Sequence, residues 1–202
     1  MSKASSQRIE KHKGTLSDRA AIAFSMVLVA ALASGCASTP RPEVPGPAAA
    51  VVVSGLSDAE RSFMARAAAD GLYEVEVSSL AASRAISPDV RSYAQMVVNH
   101  DAQAANELAA LMRAKGLQPV AGLAADKAAK LDRLAALKPS ADFDRGYVRV
   151  VGVEDHLARI ALFEQAQRDV RDRDLRAWID RTLPVLRTDL GAAQALIGTL
   201  GG

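Results

Sequence analysis

The chain has a single cysteine, Cys36, among its 202 residues. An intrachain disulfide is therefore excluded, and stability must come from packing. Aromatic residues make up only 4% of the chain. A core has to be filled largely by alanine, leucine and valine, of which alanine and leucine lose little side-chain entropy in a helix. There are three histidines, and no Glu-x-x-His occurs anywhere, although di-iron carboxylate bundles carry that motif twice. No Gly-rich phosphate loop, nucleophile elbow or Ser/His/Asp arrangement is present, so phosphoryl transfer and nucleophilic catalysis have no basis in the sequence. No segment alternates as a strand. The apolar run at residues 20–33 is 14 residues long, short of the roughly 20 that span a bilayer as a helix.

What is present begins with an export pattern. Lys3, Arg8, Lys11, Lys13 and Arg19 precede that apolar run, which ends in Leu-Ala-Ser-Gly-Cys. Small residues before a cysteine resemble the lipobox of bacterial lipoproteins, with Leu32 one position earlier than the usual leucine and Ala33 in its place. The resemblance implies a signal over 1–35, cleavage before Cys36, and a membrane partner reached through lipid-modified Cys36. The alternatives are an uncleaved anchor or a secreted protein with a stray thiol. Ala37 follows the cysteine where an aspartate would retain the inner membrane, so the expected location is the cell envelope, periplasm-facing, at the outer membrane of a Gram-negative source. Taking five Lys/Arg and two Asp/Glu of the signal from totals of 25 and 23 leaves 20 and 21. A mature charge near −1 gives no electrostatic case for nucleic acid.

Residues 36–55 hold four of the eight prolines, Pro40, Pro42, Pro45 and Pro47, and read as a semi-extended tether. From 56 to 200 the pattern is helical. Ser57 with Glu60 has the spacing of a capping box. Ser87 with Pro88 starts a second helix almost at once, running to Lys115 before Gly116, so helices one and two are antiparallel. A short helix is expected in the connection between Pro119 and Pro139. A third long helix covers about 141–170, with Phe143, Tyr147, Val150, Leu157 and Ala161 along one face, and a fourth follows, bent at Pro184. The expected fold is all-α: a four-helix bundle with a short extra helix in its long central connection.

Polar residues interrupt the helical stripes. Gly71, Glu74, Ser78, Ala81 and Ala85 form a small-residue seam; Val97, His100, Ala104, Glu107 and Leu111 share a line; so do Val153, His156, Ile160 and Phe163, and Leu186, Asp189, Ala193 and Leu196. Counting from the turns puts Glu74 level with His100 and His156 level with Asp189, near mid-height of a bundle about 40 Å long. A mononuclear site of two imidazoles and two carboxylates suits zinc, iron or manganese. The plainer alternative, and the preferred one, is that these four groups hydrogen-bond to one another or sit at stripe edges.

The segments over 63–116, 143–164 and 174–190 together resemble the ferritin-like exported bacterial proteins grouped as domain of unknown function 4142, over about 57–198. That resemblance implies a ferritin-like bundle, often described as an outer-membrane protein of no settled activity, with recurring polar positions at Glu74, His100 and His156. Asn99 stands where the family has an aspartate before the histidine, and Asp189 where it has a histidine. Two functions follow: a non-enzymatic envelope lipoprotein with a structural, stress-related or binding role, or a metal-binding or redox protein holding one transition-metal ion at Glu74, His100, His156 and Asp189. The first, without a resident cofactor, is preferred; protein partner and oligomeric state stay open.

Overall fold

The computed structural model describes residues 55–200; the expected signal, Cys36 and nearly all of the tether lie outside them. Among the described residues every regular element is helical. Helix α1 (Asp58–Arg84) starts with the expected box, in which Ser57 caps the Glu60 amide and Glu60 answers the Ser57 amide. After three residues α2 (Pro88–Ala114) returns antiparallel, capped by Ser87. Gly116, at φ 75°, closes it in the left-handed conformation that disfavours other residues. The connection carries the short α3 (Ala125–Ala135) against α1. Ser140 caps α4 (Ala141–Tyr147), which passes through a π-helical stretch (Val148–Asp155) into α5 (His156–Asp169). Helix α6 (Arg173–Leu200) completes the bundle and stays helical through Pro184, which is exposed, so the carbonyl it leaves unpaired faces water.

Two carboxylates latch opposite ends. Glu60 accepts from the Arg171 and Asp172 amides in the α5–α6 turn, at 2.7 and 2.8 Å. Asp144 accepts from the Ile86 and Ser87 amides in the α1–α2 turn, at 3.2 and 2.8 Å. For Glu60, burial alone would raise the pKa, but the amides of Asp172, Ser57 and Arg171 overcome it and hold the carboxyl at about 2.

The apolar core is split in two. One cluster gathers Phe63, Met64, Leu108, Phe163, Trp178 and Leu183; the other gathers Tyr73, Val77, Val90, Tyr93, Phe143 and Tyr147. Between them runs a buried polar belt of Glu74, Asp101, His156, Arg159 and Asp189.

The π-helical stretch corrects the expected third-helix face. Phe143 and Tyr147 are buried as expected, but Val151 rather than the expected Val150 continues the core, and His156 follows it five residues on, then Ile160 and Phe163. The extra residue of the π register turns the helix. Leu157, expected inside, is 49% exposed, and Ala161 is also exposed. Close packing accompanies it: a Cβ on Gly152 would stand 2.8 Å from the Ala193 Cβ and 3.0 Å from the Tyr93 hydroxyl. On α2 the expected line was one residue out of phase, for the buried residues are Val97, Asp101, Leu108 and Met112, with His100 at the edge.

Candidate metal centre

Three helices bring Glu74, Asp101 and His156 together, with one ligand atom from each within 4.8 Å of the others. Their exposures are 0%, 2% and 0%. The small-residue seam of α1 positions Glu74: Gly71, one turn earlier, has open space where a side chain would start. His156 begins α5 as the π register ends, and its Nδ1 lies 3.0 Å from the Val151 carbonyl, five residues back. A carbonyl can only accept, so Nδ1 carries the proton and Nε2 keeps its lone pair. That Nε2 has no hydrogen-bond partner, and neither has either oxygen of Glu74. Buried polar atoms normally find one.

Asp101 is differently placed. Its two oxygens accept from Arg159 Nη2 and Nη1 at 2.6 and 3.1 Å, a bidentate pair inside the bundle. Burial pushes the Glu74 carboxyl well above the usual range; Arg159 opposes this, while Asp101 and Asp155 reinforce it. Burial, then Arg159, pushes the His156 imidazole down. The cluster thus sets a carboxyl whose charged form burial disfavours beside an imidazole that burial keeps neutral and the Asp101–Arg159 ion pair.

The other two sequence-chosen residues form a separate pair. His100 Nδ1 lies 2.9 and 3.2 Å from the two Asp189 oxygens. The imidazole is 37% exposed and the carboxylate 1%. The pair lines a cleft of about 110 Å³ between α2 and α6, whose wall also includes Asp101. Burial raises the Asp189 pKa and His100 counters it. The four sequence candidates therefore fall into an inner half, Glu74 and His156, and an outer half, His100 and Asp189. Sequence reading missed Asp101, whose neighbour His100 was placed on the inward line instead, and Arg159, which lies on the inward face of α5 between His156 and Phe163 but carries a charge of the kind that usually meets solvent.

The family model described as domain of unknown function DUF4142 matches residues 45–196. The chain belongs to the DUF4142 family. The match spans Glu74, Asp101, His156 and both residues of the outer pair. A crystal structure of a DUF305 fragment from Deinococcus radiodurans is similar in fold, with a TM-score of 0.62 and 15% identity over 71% of this chain and 97% of that one. At that identity the likeness concerns the fold alone. No curated protein matches the chain. What this DUF4142 domain offers chemically is one imidazole lone pair and two carboxyl groups facing one another in the interior, beside a fixed guanidinium.

Proposed function

We propose that this DUF4142 protein is an envelope lipoprotein, tethered through Cys36, whose bundle holds one divalent transition-metal ion on Glu74, Asp101 and His156. The observation that carries the metal reading is the set of unpartnered, fully buried atoms, His156 Nε2 and both Glu74 oxygens, in one cluster. Leaving such groups unpaired costs about 1–3 kcal/mol each, and a bound cation would remove that cost. An imidazole that donates its other N–H to a backbone carbonyl has the arrangement usual for metal-ligating histidines. One nitrogen and two carboxylate donors suit zinc, iron(II) or manganese(II), and three protein ligands leave a coordination position open. Two ionised carboxylates offset the charge of the ion, with Asp101 shared between ion and Arg159. Burial favours the protonated form of Glu74, and ligation requires the ionised one, so metal binding competes with protons at this carboxyl.

Metal analysis of the full chain, stripped with a chelator and reloaded with cobalt(II), tests this. The expected result is uptake near one ion per chain, lost in Glu74→Gln and His156→Ala. Absence of uptake by the unaltered chain, or equal uptake by both variants, overturns it. The anchor is supported by the lipobox-like sequence ending in Cys36. Cys36→Ser should abolish acyl labelling and membrane retention; labelling that persists in the variant refutes the anchor.

A further inference from the structure

We infer that the cleft between α2 and α6 is the route by which a cation reaches the buried cluster, with His100 and Asp189 as its first ligands. This rests on the cluster binding a metal. Asp101 is the link, since it lines the cleft and is also one of the three clustered residues. His100 and Asp101 are successive residues of α2, so one residue step separates the half-exposed imidazole at the cleft from the carboxylate inside. Toward solvent the cleft continues to Gln103, Glu107 and Arg181. Glu107 and Arg181 meet only loosely, at 3.4 Å, with both side chains exposed. Asp101 is met by Arg159 and Glu107 by Arg181, so the carboxylate that makes the cleft attractive to a cation is Asp189, whose partner is the His100 imidazole.

The other approach is less favourable. A cleft of about 310 Å³ near α3 is lined by Arg66, Lys127 and Arg159 against Asp70, Asp126 and Asp155. Lys127 is held on Asp70 at 2.7 Å, and Lys130 pairs with Asp155. The last barrier on that side is the Arg159 guanidinium, which repels a cation at the point of entry.

A route, as opposed to a ligand, changes rates without changing the equilibrium. The experiment follows cobalt(II) absorption after rapid mixing with the metal-free full chain, then release to excess chelator, for the unaltered protein, Asp189→Asn, His100→Ala and Asp155→Asn. Loading should slow by about tenfold in the first two variants, within the range that steering groups contribute to on-rates, and release should slow equally, because a route leaves the dissociation constant unchanged. Asp155→Asn, whose charge bears on Glu74 itself, should show no slowing of loading or release. Unchanged rates in Asp189→Asn and His100→Ala, slowing confined to Asp155→Asn, or a dissociation constant weakened by faster release at an unchanged loading rate would each overturn the route while leaving the buried site standing. If the unaltered protein takes up no cobalt(II), the metal reading fails first and the route with it. Circular dichroism of each variant controls for folding.

Discussion

The inner cluster and the outer pair are built from the same materials, a histidine and carboxylates near mid-bundle, yet they are in opposite states. His100 and Asp189 complete each other's hydrogen bonding, and water reaches the imidazole. Glu74 and His156 are wholly buried and leave three polar atoms without partners. The outer pair resembles an ordinary boundary contact; the inner cluster keeps polar atoms that no protein group satisfies. A polar residue in an apolar stripe is thus an incomplete signal, because what distinguishes the two sites is whether its partner arrives from another helix.

The harshest way to break that contrast is to remove the one inner group that is fully charged and paired. Arg159→Met should destabilise the metal-free domain by about 3–5 kcal/mol, since it strands Asp101 as a buried uncompensated charge; urea unfolding measures it. Glu60 supplies a satisfied carboxylate for comparison. Its folded pKa of about 2 lies below the reference value of 4.5, so its contribution is present above pH 4.5 and is lost as pH falls from there toward 2. After allowance for solvent near the turn this amounts to about 2 kcal/mol, and Glu60→Gln should flatten that part of the stability–pH curve. His100→Ala should cost about 1–2 kcal/mol by orphaning the Asp189 carboxylate. Glu74→Gln should have the smallest effect, within about 0.5 kcal/mol in metal-free protein, because burial disfavours the charged carboxyl and its oxygens have no hydrogen-bond partner for the amide to lose. A Glu74→Gln loss as large as that of His100→Ala would erase the distinction between the two sites.

The ends of the helices were legible because caps are local. Ser57 with Glu60, Ser87 with Pro88, and Gly116 each act within one turn, and all three did what the sequence implied. The α1 seam was legible for the same reason, an unbroken 3.6-residue period. The centre was not. Asp101 is distinguished from His100 only by a phase difference of one residue, and Arg159 is inside only because Asp101 faces it with both oxygens. Within the π stretch Gly152 packs closely against Ala193 and Tyr93 from other helices, an arrangement no local pattern encodes. Leu157 was assigned to the core by a period that had already been broken upstream.

That register also sets which change of length the middle of the protein can absorb. Each residue of an α-helix advances the chain by about 100°, and the π stretch Val148–Asp155 takes up one residue more than a regular helix would. Without that residue His156 would follow Val151 by four, the ordinary spacing of one helical face, and would still point inward. With the residue kept and the register made regular, everything after it would turn by about 100°, carrying His156 away from Glu74 although no residue had changed.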